Sequence, residues 1–176
     1  MILRKLFGLG PDDESERGST PGSVREIADA IDRLPPERAR HLAAFAYILG
    51  RVAHADLEVS PEETRSMEHI LRTLAGLSED EAILIVRIAK SQHELFGATE
   101  SYVVTREFGR SASYEEKSAL LECLFAVSSS DGEVSGIEET EIRRIAGELD
   151  LSHADFIGAR SLFREHIPLL KQKPGA

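Results

Sequence analysis

Five segments of this chain open on Ser-x-x-Glu: Ser23 with Glu26, Ser60 with Glu63, Ser78 with Glu81, Ser113 with Glu116, and Ser135 with Glu138. Ser152 with Asp155 is a close variant. In this pattern the serine hydroxyl accepts the N3 amide while the acid reaches back to the cap amide, so each pair marks a helix start. Pro61 follows Ser60 at the first helical position, where a missing N–H costs nothing. Pro35 and Pro36 open another helix, and a weaker start lies near Thr99. Between these starts, apolar residues recur at three- and four-residue spacing: Leu42, Phe45, Leu49 and Val52; Met67, Ile70, Leu71 and Leu74; Ala82, Ile85, Val86 and Ala89; Ile142, Ile145, Ala146 and Leu149; Phe156, Ala159, Leu162 and Phe163. Ala119 to Val127 is apolar nearly all round and predicts a central buried helix. No run alternates convincingly at period two. The spacing predicts an all-α fold of about eight helices.

The chain also repeats itself. Asp56 and Asp131 lie 131 − 56 = 75 residues apart, and at that offset Leu49 pairs with Leu124, Val52 with Val127, Glu58 with Glu133, Val59 with Val134, Ser60 with Ser135, Glu63 with Glu138, and Ile70 with Ile145. Dropping one residue brings Ser78 onto Ser152. Each copy reads helix, short acidic loop, capped helix, capped helix. Two such units predict a single compact helical domain built from two pseudo-symmetric repeats. A chain of 176 residues suits one well-buried domain. The expected division is an N-terminal arm and flexible linker over 1–22, the helical domain over 23–170 and a short tail over 171–176, with Pro168 ending the last helix.

The formal charge is −10, from 21 basic and 31 acidic residues. Nucleic-acid binding needs a basic footprint, and none is visible, so no nucleic acid is expected as partner. No apolar run approaches the roughly 20 residues that span a bilayer. The segment MILRKLFGLG carries two cations among apolar residues, so a membrane contact is at most peripheral, through Met1 to Leu9. The expected location is cytoplasmic, extending to the inner membrane surface if that segment binds there. The single cysteine, Cys123, lies in SALLECLFAV and reads as a small buried hydrophobe.

Two acidic stretches, HADLEVSPEET and SSSDGEVSGIEETE, remain to be explained. A calcium loop of the EF-hand type wants oxygen ligands at positions 1, 3, 5 and 12 with glycine at 6. From Asp131, Glu133, Ser135 and Gly136 fit, but position 12 is Ile142; in the first copy positions 6 and 12 are Pro61 and Met67. These are not EF-hands. Capping accounts for the serines and for Glu63 and Glu138. It leaves Asp56, Glu58, Asp131 and Glu133, which crowd the negative end of a helix dipole. Local turn amides could offset that, or a hard divalent ion such as Ca²⁺, Mg²⁺ or Mn²⁺ could. The candidate metal set is Asp56, Glu58, Glu63, Asp131, Glu133 and Glu138. Val59 and Val134 read as plugs that hold each loop against the core. His54 precedes Asp56 by two but has Ser129 as its counterpart, so it reads as a surface histidine.

A long helix ending in an acidic loop and followed by an acidic capped helix, present twice, resembles the tellurite-resistance TerB family. The family loop reads ADGxxxxxE; SDGEVSGIE from Ser130 to Glu138 is close to it, and ADLEVSPEE from Ala55 to Glu63 departs by Leu57 in place of glycine. The resemblance covers about Ser23 to His166. It implies a compact all-helical domain with an acidic face, metal ligation by the loop acids, and a role in tellurite and other stress responses beside a protein partner or within a stress-response complex. There is no HExxH, CxxC, Gly-rich phosphate loop or GxSxG. The expected function is therefore a non-enzymatic binding module. The alternatives are a metal-dependent enzyme using the same carboxylates and a membrane-surface adaptor recruited through the arm.

Overall fold

The computed structural model describes residues 22–53, 61–95, 101–130 and 132–167. Among them, eight α-helices follow one another: α1 (Gly22–Asp32), α2 (Pro36–Ala53), α3 (Pro61–Leu74), α4 (Glu79–Leu95), α5 (Ser101–Ser111), α6 (Tyr114–Ser128), α7 (Gly136–Glu148) and α8 (His153–Leu162). A 3-10 turn, Arg164–His166, follows α8. The described residues contain no strand. No helix among them is long and apolar enough to cross a membrane. Residues 1–21 of the expected arm and the 171–176 tail lie outside the described residues.

The helix starts follow the sequence pattern. The Glu81 amide donates to Ser78 Oγ at 3.2 Å while the Ser78 amide donates to Glu81 Oε2 at 3.0 Å. Ser113 with Glu116, Ser135 with Glu138, and Ser152 with Asp155 close the same reciprocal bonds. α1 begins at Gly22, one residue ahead of the expected Ser23 start. Two helices are followed by left-handed residues, Gly76 after α3 and Asp150 after α7, at φ 63° and 59°. Glycine enters that region freely, and aspartate is one of the few side chains that tolerates it.

α2 and α6 form the middle of the bundle. α2 packs on α1, α4, α5, α6 and α7, and α6 packs on α2, α3, α7 and α8. Leu42, Phe45, Leu49 and Val52 of α2 share one core with Leu120, Leu121, Leu124 and Phe125 of α6. From Leu120 to Val127 only Glu122 escapes full burial, as a helix apolar nearly all round requires. Cys123 is wholly buried, and desolvation pushes its thiol up to about 12, so it packs as a hydrophobe. One residue departs from its stripe: Leu162 is 66% exposed. α8 ends there, and the turn brings Phe163 inward to stack on Phe125 with ring centroids 6.0 Å apart.

A buried ion-pair network crosses three helices. Arg51, in the last turn of α2, has a side chain only 6% exposed. Its Nη1 donates to Glu148 Oε2 at 2.6 Å and to Thr105 Oγ1 at 2.7 Å, and its Nε donates to Glu141 Oε1 at 2.9 Å. Burial opposes the charged guanidinium, but the Glu148 and Glu141 hydrogen bonds outweigh it and leave its pKa above the ordinary value. Arg144 closes the outer side, with Nε 3.2 Å from Glu148 Oε1. α2, α5 and α7 are thereby fixed together just before the chain leaves α2 for the first acidic loop. Replacing Arg51 by methionine strands two carboxylates, one of them only 6% exposed, and should cost about 3–5 kcal/mol. Adding Glu148→Gln and Glu141→Gln should recover part of that loss in chemical denaturation; an additive further loss would show that the network does not act as a unit.

At the other end of α2, His41 lies against Phe108 with ring centroids 4.8 Å apart. Its Nε2 is 3.6 Å from Glu116 Oε1, which favours the charged imidazole, but desolvation wins and its pKa falls below the ordinary 6.5. The unfolded chain therefore takes up the proton first, and stability should fall as pH drops below 6.5. Glu81 acts in a more acidic range, because its bond to Arg38 holds it below its ordinary 4.5. Thermal midpoints between about pH 7 and pH 5 should decline less for His41→Phe than for the wild type. Parallel curves would show that the decline arises elsewhere.

Candidate functional site

The second acidic loop joins α6 to α7 and is built from backbone bonds on both sides. The Ser130 amide donates to the Val127 carbonyl at 3.2 Å and the Gly132 amide to the Ser129 carbonyl at 3.1 Å, continuing the last turn of α6. Ser129 and Ser130 turn their hydroxyls back onto the Ala126 and Val127 carbonyls at 3.0 and 2.7 Å. The serines therefore act on the helix end. Gly132 has φ 126°, a left-handed conformation open to glycine and strained for other residues. Val134 then enters the core at 1% exposure, as its reading as a plug expects.

The chain's C-terminal turn holds this loop from outside. The Val134 amide donates to the His166 carbonyl at 2.8 Å, and His166 Nδ1 lies 3.0 Å from the Gly132 carbonyl. His166 takes no part in the sequence pattern. A lone histidine 34 positions away carries no periodicity or motif that would assign it to this loop.

The acids that follow divide into different tasks. Glu138 belongs to the capping box: the Ser135 amide donates to its Oε2 at 2.8 Å and its own amide donates to Ser135 Oγ at 3.2 Å. Glu139 is largely buried and pairs with Arg160 of α8, Oε1 to Nε at 3.0 Å and Oε2 from Nη2 at 3.1 Å. Glu141 belongs to the Arg51 network. Glu133 is the exposed carboxylate on the loop itself. Glu63 is exposed in the first turn of α3, where a carboxylate faces the positive end of the helix dipole. Asp56, Glu58 and Asp131 lie outside the described residues, as do His54 and Val59. Among the described residues, no three His, Cys, Asp or Glu side chains gather as a metal-ligand set.

Hard divalent ions take carboxylate, carbonyl and water oxygens. The loop offers oxygens of that kind in Glu133 and in the second oxygen of Glu138, so its donor set fits such an ion and not a soft one. What the fold adds is a fixed backbone. Val134→Ala should remove about 2 kcal/mol by the lost methyl burial and the small cavity. Amide exchange at Gly132 and Val134 should accelerate more than global unfolding accounts for. If exchange rises only in step with global stability, the plug stabilises the domain without fixing the loop.

The model of one family, described as tellurite resistance protein TerB, matches residues 41–161. That span runs from α2 through most of α8 and includes both acidic loops. No curated protein and no solved structure matches the chain. With a matched span that takes in well over half of the 176 residues, and with the all-helical order of elements found here, the chain belongs to the tellurite resistance protein TerB family.

Proposed function

We propose that this protein is a non-enzymatic stress-response module of the tellurite-resistance type, acting in the cytoplasm. In this reading it binds a hard divalent cation (Ca²⁺, Mg²⁺ or Mn²⁺), or a cationic face of a protein partner, through its two acidic loops. The observation that supports it is the backbone of the second loop, which Val134 and the His166 turn hold in place with the Glu133 carboxylate at the surface and Glu138 beside it in the capping box. A site of this kind pre-pays the ordering of its backbone, which otherwise weakens binding. The family's association with tellurite resistance supports the stress-response setting. Asp56, Glu58 and Asp131 complete the ligand set in this reading, with Glu63 and Glu138 beside them.

Clustered carboxylates repel one another, so neutralising them in ion-free protein should be neutral or stabilising. A bound ion reverses the sign, because an ion that binds only the folded state stabilises it by RT ln(1 + [L]/Kd), about 2.7 kcal/mol at one hundred times Kd. The experiment compares wild type with Asp56→Asn combined with Asp131→Asn, first in EDTA and then in millimolar Ca²⁺, Mg²⁺ or Mn²⁺. Wild type should gain stability with at least one ion, and the double variant should not. If no ion shifts the wild type and the variant is simply less stable in EDTA, the aspartates form turns and the metal reading fails.

A further inference from the structure

A groove of about 570 Å³ runs between α5 and α7. Arg106, Arg110 and Arg144 all line it, in a protein whose formal charge is −10. Arg106 and Arg110 stand one turn apart on α5, and Tyr102 precedes them by another turn, so the three share one helix face. We propose that this groove binds a small phosphorylated solute, with the three guanidinium groups holding its phosphate oxygens.

The commitments of these arginines carry the argument. Two carboxylates line the groove beside them, Glu148 and Asp150. Glu148 is 6% exposed and gives its Oε2 to the buried Arg51 at 2.6 Å. Arg144, by contrast, is 62% exposed and keeps only the outer edge of Glu148 and a 3.8 Å approach to Glu141. Arg110 meets Glu107 at 3.5 Å, with both side chains mostly exposed, so the pair is weak and easily displaced. Arg106 rests on Tyr102, with Nη1 3.2 Å from the phenol oxygen and Cζ 5.8 Å from the ring centroid. The tyrosine holds that guanidinium plane without neutralising it.

Helix dipoles account for only part of this arrangement. Arg110 lies in the last turn of α5, where a cation is favoured, but Arg106 is mid-helix and Arg144 stands a turn before the end of α7. Two glycines, Gly109 and Gly147, also line the groove. A Cβ at Gly109 would stand 3.2 Å from the Leu149 backbone, so the helices touch there. A Cβ at Gly147 would meet nothing within 4 Å. Packing therefore does not require Gly147, although glycine is less favourable than alanine inside a helix. The planar fork of arginine matches phosphate oxygens in pairs, and the volume falls within the range of small-molecule sites, larger than phosphate alone fills.

The test uses the full chain with inorganic phosphate and inorganic pyrophosphate as probes, at ionic strength held constant with chloride, read by backbone amide chemical shifts. Saturable shifts are expected at residues 102–110 and 144–150, tighter for pyrophosphate. Arg106→Gln with Arg110→Gln should weaken binding by about tenfold or more, as for lost hydrogen bonds between charged groups. Because both side chains are exposed, the thermal midpoint should hold. Gly147→Leu should block binding while leaving every arginine in place, and Arg40→Gln, in α2 and outside the groove, should leave it unchanged. Shifts that are unsaturable and spread over the surface would overturn the proposal. So would saturable binding that survives both the arginine and the Gly147 variants.

Discussion

The charge on Arg51 is the constraint around which the bundle is arranged. A guanidinium cannot be withdrawn from water unless its donors are met, and two other helices supply the acceptors: Thr105 from α5, and Glu141 and Glu148 from α7. Hydrophobic burial between α2 and α6 provides the driving force, but it is tolerant of small rotations. The forked ion pair is not, because its bonds weaken steeply with angle. It therefore fixes how α5 and α7 sit against α2.

The same economy explains the candidate site. A run of acids that looks uniform in sequence is divided by the fold into a cap, a helix-to-helix pair, a share in the Arg51 network and one exposed loop carboxylate. Each engaged acid stabilises a neighbouring element, so the loop is held by its surroundings. Val134 anchors it inward and the His166 turn anchors it outward. The groove between α5 and α7 is lined by three arginines, and its inner wall includes Glu148, which Arg51 holds.

Much of the fold was legible in the sequence because it rests on local physics. Four serine-acid pairs form the caps their spacing predicts, since a capping box needs only residues three apart. The apolar stripes became the core because helical periodicity decides which face turns inward. Leu162 shows the limit of that reasoning. It continues a stripe by spacing, but the helix ends at it, and Phe163 takes the inward place through a turn that periodicity does not encode. In the candidate site, Val134 and Glu138 were legible for the same local reasons.

What the sequence by itself determined, then, was the all-helical class, the order of capped helices around two acidic stretches, and the resemblance to the TerB family through those stretches. Only the tertiary structure decided which acids enter the cap and the buried ion pairs, that His166 closes the loop, and that three arginines line one groove. The reason is physical. Caps and stripes depend on neighbours within a turn or two, whereas Arg51 finds Glu141 and Glu148 at separations of 90 and 97 residues. Pairings at that range are chosen by how whole helices pack, and no local pattern records them.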